Sequence, residues 1–158
     1  MNHDTRLARY FIFYVATLLF FGVGAITTLG LDWYATLVLP SWTPPELLAA
    51  SAWGVLFLGA ALSMAAFWEA EENHTRLRLV SALYAGNAAL VLLWNYLFFG
   101  IHMLEGALLA AVLVGVSALG IVLCVWKTSR TAAWFLAPYL AWMAFAVCFS
   151  YAVTVLVG

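Results

Sequence analysis

The chain has 158 residues, 67% of them apolar and 8% charged, against roughly 45–50% and about 25% in soluble domains. That excludes a water-soluble globule. Its formal charge of -1, from six Lys plus Arg against seven Asp plus Glu, leaves neither a basic face for nucleic acid nor an acidic tail.

Five stretches lack Asp, Glu, Lys and Arg: residues 10–31, 47–68, 79–104, 106–126 and 131–158. Each reaches the roughly 20 residues that a helix needs to cross about 30 Å of hydrocarbon. Barrel strands would alternate apolar and polar residues, and residues 106–115 do not. The expected fold is an all-α integral membrane protein, a single domain over residues 1–158. Its spans are expected at about 8–30, 44–69, 77–100, 104–126 and 131–157, so little chain lies outside the bilayer.

The first span follows Arg6 and Arg9. A cleavable signal peptide is the alternative for such a start, but the bulky Phe11, Phe13, Tyr14, Phe20 and Phe21 favour a retained helix. The link to the second span, residues 31–46, is long and carries Trp33, Tyr34, Leu37, Leu39 and Trp42 among prolines. Connections beyond about 12 residues tend to be functional or disordered, and this one is too apolar to stay solvated. It reads as an ordered lid folded back on the helices. Thr43, Pro44 and Glu46 fit an N-terminal capping box for the second span, with ligand contact or proton acceptor as the alternative role for Glu46.

The second span carries Trp53, Phe57, Ala60, Met64 and Phe67 along one face. The third carries Asn87, Val91, Trp94, Asn95 and Phe98, and the fifth Trp134, Pro138, Trp142 and Phe149. Such stripes usually mean packing, but large indoles beside small residues and uncharged polar groups also compose a pocket for a flat apolar ligand. Asn87 and Asn95 suit either an interhelical hydrogen bond or a ligand contact. Pro138 leaves a carbonyl of the fifth span without its donor and favours a kink. The fourth span has a small-residue ridge, Ala107, Ala111 and Gly115. That ridge either seats the helix within the chain or, as the favoured expectation, forms a dimer face. Cys124 and Cys148 read as packing residues, and His102 and Glu105 have no partners at metal-ligand spacing, so no metal site is expected.

Arg6 and Arg9, Arg76 and Arg78, and Lys127 and Arg130 all fall on one side of a five-span topology. By the positive-inside rule the N-terminus is cytoplasmic and the C-terminus lies across the membrane, if this is a bacterial inner membrane. No span holds the acid or base expected of an ion pathway.

Three blocks of sequence carry a resemblance. Trp33-Tyr34, Leu37 and the run from Pro40 through Ser41, Trp42, Thr43 and Pro44 to Pro45, followed by Trp53 and Leu56-Phe57, form the first. Trp94 with Phe98-Phe99-Gly100 forms the second, and Pro138-Tyr139-Leu140-Ala141-Trp142 the third. In this order the chain resembles the TspO/MBR family, the translocator or tryptophan-rich sensory proteins, also called peripheral-type benzodiazepine receptors. The resemblance implies a five-helix bundle whose long first link closes a cavity. It also implies a homodimer, through the third or fourth helix, in a lipid bilayer. The implied ligands are porphyrins such as protoporphyrin IX, sterols in some members, and synthetic benzodiazepine-site compounds. No cofactor is required; a porphyrin would be ligand or substrate.

By matching position, Trp33, Trp42, Trp53, Trp94 and Trp142 would contact the ligand, with Asn87, Tyr139 and Ser150 as polar partners. Leu39 stands where a lysine is usual, Val91 where an Asn is expected, and Ser150 where Asn is common. A porphyrin carboxylate would therefore meet neither that cation nor those amides. The last span also lacks the Tyr and Lys/Arg order of a cholesterol-recognition motif, so sterol is the weaker expectation. The leading functional reading is a membrane receptor or sensor for a tetrapyrrole. The alternatives are a light- and oxygen-dependent porphyrin-degrading enzyme, with Trp53 and Trp142 as electron donors or radical carriers, and a porphyrin or sterol transporter.

Overall fold

A computed structural model describes residues 31–157. The first span and its signal-peptide alternative lie outside the described residues. Within them the chain is helical: a one-turn helix α1 (Leu31–Tyr34), then α2 (Glu46–Ala70), α3 (His74–Asn95), α4 (Leu104–Trp126) and α5 (Arg130–Val157). A π-helical turn, Tyr96–Gly100, extends α3. Four of these segments are long and apolar enough to cross a membrane: Glu46–Ala70, His74–Gly100, Leu104–Trp126 and Arg130–Val157.

Helix α2 starts later than its capping box predicts. Proline disfavours helical geometry in the residue before it, so Pro45 keeps Pro44 out of the helix and itself becomes the N-cap, with no side-chain cap. The Thr43 hydroxyl turns back instead and donates to the Pro40 carbonyl at 2.7 Å. Glu46 retains only the second part of its expected role, an acid in the first turn of a helix where the dipole favours it. Helix α3 has a true cap that the sequence reading passed over. The Asn73 side chain accepts from the Thr75 and Arg76 amides at 2.9 and 3.2 Å.

Between lipid-solvated helices there is little hydrophobic drive, so close packing and interhelical hydrogen bonds must hold the bundle. The α4–α5 seam shows how. Ala107, Ala111, Val114, Ala118, Ile121 and Val125 are buried on α4, and Leu136, Tyr139, Met143, Ala146, Ser150 and Val153 on α5. Alternating steps of three and four residues are the spacing of two helices packed along a common stripe. This overturns the favoured expectation for the small-residue ridge: Ala107 and Ala111 are spent inside the chain, and α4 instead exposes Leu109, Val112, Leu113, Val116, Leu119 and Leu123. The fifth-span stripe also needs correction at Trp134, which is 66% exposed. Eight residues at 3.6 per turn carry it about 80° away from Trp142. Helix α5 continues through Pro138.

Helix α2 approaches α5 through Gly59, where an added Cβ would stand 2.9 Å from the Phe135 carbonyl oxygen. One turn on, the Ser63 hydroxyl donates to the Ala132 carbonyl at 2.6 Å and lies 2.6 Å from the Tyr84 hydroxyl, joining α2, α5 and α3. A second junction centres on Asn87. Its amide donates to the Val114 carbonyl and the Ser117 hydroxyl at 3.0 and 2.7 Å, and its carbonyl oxygen accepts from the Tyr139 hydroxyl at 2.7 Å.

The two ends of the bundle differ. At the end holding the α2–α3 and α4–α5 links, the Glu71 carboxylate pairs with Arg76 at 3.2 Å and accepts from the Thr128 hydroxyl and the Asn73 amide. Arg76 also donates to the Cys124 carbonyl at 2.9 Å. At the other end Trp33, Tyr34, Leu37 and Leu39 of the lid pack against a cluster containing Trp94, Phe98, Ala107 and Val153. The lid folds back as its composition requires.

Candidate functional site

Helix α2 packs against α5 and α3 against α4, but α2 and α3 meet only slightly. A cavity of about 250 Å³ opens between them at the lid end. Trp53 and Phe57 of α2, Trp94 and Asn95 of α3, and Trp142, Phe145 and Phe149 of α5 form its walls, with Phe99 from the π-helical turn. Tyr34, Thr43, Pro44 and Glu46 line it from the lid and the start of α2.

The indoles meet at the centre. Trp53 lies 6.1 Å from Trp94 with rings tilted 36°, and 6.1 Å from Trp142 edge to face, at 78°. Trp53 stacks on Phe57 at 5.4 Å, and Trp94 on Phe98 at 5.6 Å. Such contacts each contribute about 0.5–1.5 kcal/mol beyond their buried area, enough to fix ring orientation in advance of a ligand. Ser150, fully buried, receives the Trp94 indole N–H at 3.3 Å and so anchors that ring.

The π-helical turn explains how α3 supplies two aromatic neighbours in succession. Its wider turn, closed by the Ile101 amide on the Tyr96 carbonyl at 3.0 Å, leaves Phe98 and Phe99 with rings 4.8 Å apart. Phe98 goes to the core and Phe99 to the cavity. Single π turns inside α-helices are frequent at functional sites. The extended helix ends on His102, whose φ of 58° is left-handed, a region in which His is among the enriched non-glycine residues. Its ring stacks on Trp33 at 3.9 Å and 18°.

Trp53, Trp94 and Trp142 are thus brought together as cavity wall. Trp33 and Trp42 are not: each stands behind the wall and fastens the lid, Trp33 edge-on to Phe98 at 5.8 Å and Trp42 edge-on to Phe145 and Phe149 at 5.6 and 6.1 Å. Asn87 and Tyr139 lie outside the lining, with both amide hydrogens and the carbonyl oxygen of Asn87 engaged by the protein. Asn95 does line the cavity, its amide donating to the Val91 carbonyl at 3.2 Å. The sequence reading missed Phe145, although its position three residues after Trp142 and four before Phe149 put it on their face.

Burial, and then the nearby Glu46 carboxylate, hold the Tyr34 hydroxyl above the usual tyrosine range. The cavity therefore presents aromatic faces and neutral polar groups, with one acid at its mouth. It has the character of a binding site for a flat, largely apolar molecule.

Known proteins match the chain over the region that builds this cavity. Residues 11–156 match the TspO/MBR family. The translocator protein of Sus scrofa is 38% identical over 125 residues, covering 78% of this chain and 74% of its own. The tryptophan-rich protein TspO of Chlorobaculum tepidum is 34% identical over 116 residues, 72% of each. Protein CrtK of Rhodobacter capsulatus is 29% identical over 147 residues, 93% of this chain and 91% of that one. With the match running from before the lid through the last helix, and the cavity's walls and lid inside it, the chain belongs to the TspO/MBR family of membrane proteins.

Proposed function

We propose that this membrane protein is a receptor or sensor that binds a tetrapyrrole of the protoporphyrin IX kind, or a similar flat apolar molecule, beneath the lid. The observation that supports this is the cavity wall of Trp53, Trp94 and Trp142 on three different helices. Affinity would come from apolar burial and ring stacking. At about 250 Å³ the space lies just below the roughly 300–1,000 Å³ typical of ligand pockets, so a whole macrocycle enters only as the lid yields. The described cations, Arg76, Arg78, Lys127 and Arg130, flank the two links at the opposite end. This supports a cytoplasmic N-terminus and a cavity on the other side. A homodimer would use the outward faces of α3 or α4, since the ridge of α4 is occupied within the chain.

The test is titration of the purified protein with protoporphyrin IX in the dark, following tryptophan fluorescence, and then illumination of the same sample in air. Saturable quenching with a stable porphyrin spectrum is the expected result. Protein-dependent bleaching, lost in Trp53→Phe or Trp142→Phe, would replace the receptor with the degrading enzyme. Movement of porphyrin across sealed vesicles would establish transport, and absence of saturable quenching by both protoporphyrin IX and its dimethyl ester would remove the tetrapyrrole.

A further inference from the structure

The charge around the cavity is one-sided. Among the described residues that line it none is Lys or Arg, and one, Glu46, is an acid. The described residues of the lid end share this balance: Asp32, Glu46 and Glu105 occupy first helical turns there. The described cations are at the far end, and His102 is stacked on Trp33. A carboxylate entering the cavity would give up water for described walls that offer no cation, a costly transfer, and would approach Glu46 as a like charge. A cationic nitrogen would meet the opposite: a carboxylate at the mouth and the electron-rich faces of indoles. The raised ionisation of Tyr34, caused first by burial and then by Glu46, places the field of that carboxylate at the lid. One feature opposes this. The uncapped first turn of α2 carries the positive end of a helix dipole, which attracts anions, although Glu46 sits in that same turn and offsets it.

We propose that, among flat ligands, the cavity selects those bearing a positively charged nitrogen over those bearing carboxylates, with the rings against Trp53, Trp94 and Trp142 and the charge at Glu46. The inference rests on the cavity being the ligand site. A free-acid porphyrin is then a weaker ligand than its neutral ester or an amine-bearing counterpart.

The experiment uses three probes with one anthracene core, substituted with methylammonium, hydroxymethyl or carboxylate. Each is titrated by tryptophan quenching against the full chain in nonionic detergent at low salt. The ammonium probe should bind about tenfold more tightly than the carboxylate probe. That ratio should fall toward one in Glu46→Gln and be kept in Glu46→Asp, which retains the charge. A ratio near one in the wild type, a ratio unchanged by Glu46→Gln, or tightest binding of the carboxylate would overturn the proposal. The last result would mean that the helix dipole governs. In these three cases the neutral probe still saturates and the cavity remains a ligand site; if no probe saturates, both readings fall together.

Discussion

The two ends of the bundle are closed by different physics. At the charged end, Glu71 engages an arginine, a hydroxyl and a backbone amide, and Arg76 reaches across to Cys124. Two of these directional bonds cross the bundle, Thr128 to Glu71 from one link to the other and Arg76 to Cys124 from α3 to α4. At the lid end, among the described residues, the hydrogen bonds of residues 31–44 close within the lid, as in Thr36 to Trp33 and Thr43 to Pro40. What attaches the lid to the helices is ring contact, Trp33 on His102 and Phe98 and Trp42 on Phe145 and Phe149. Ring contacts can be lost without stranding a charge, whereas a broken ion pair leaves a partly buried charge behind. Among the described residues, one end is thus tied by charge-assisted bonds and the other by ring contacts, and the cavity lies at the second.

Substitutions should separate the two ends, and the largest effect belongs to neither. Gly59→Val drives a side chain into the Phe135 carbonyl and should destabilise the bundle by about 2 kcal/mol, read from thermal unfolding in detergent. Glu71→Ala should cost roughly 1–2 kcal/mol, because Arg76 is partly exposed and water softens its loss. Tyr139→Phe removes one bond to Asn87 and should cost about 0.6–1.5 kcal/mol. Trp33→Ala should leave global unfolding within about 0.5 kcal/mol, as expected where a segment opens independently, while hydrogen exchange across residues 31–45 accelerates. If Trp33→Ala lowers global stability as much as Glu71→Ala does, the two ends are not different in kind.

The smallest effect is on pH dependence. The folded state holds the Tyr34 hydroxyl above its ordinary value. The stability from lid docking is therefore complete below that ordinary value, about 10. It is lost as pH rises through the elevated one. Alkaline titration should speed hydrogen exchange in the lid before the bundle unfolds, and Tyr34→Phe should abolish that step.

Much of this was legible in the sequence because membrane helices announce themselves by length and by the absence of charge. The α4 boundaries, Leu104–Trp126, follow from Glu105 and Lys127 at its ends. The inner face of α3 was legible too: Asn87, Val91, Trp94 and Phe98 are all buried. Trp53, Trp94 and Trp142 are picked out as pocket residues by the family resemblance together with their place on aromatic stripes, and they line the cavity. Trp33 and Trp42, picked out by the same resemblance, do not. Partnership was not legible. Periodicity says that Asn87 faces inward but not that Val114, Ser117 and Tyr139 wait there to satisfy it. The α4 ridge shows the same gap, because small residues permit close approach without naming the helix that approaches. The π-helical turn has no hydropathy signature, and the α2 cap failed because the two prolines constrained the backbone more strongly than the Thr43 hydroxyl could.

The most direct test of the central claim, that the indole-walled cavity under the lid is the binding site, is an experimental structure of the protein with protoporphyrin IX dimethyl ester bound. Ligand density against Trp53, Trp94 and Trp142, with the lid displaced around it, is the predicted result. Density confined to the exposed apolar face of α4, with the cavity unchanged and empty, would contradict the account.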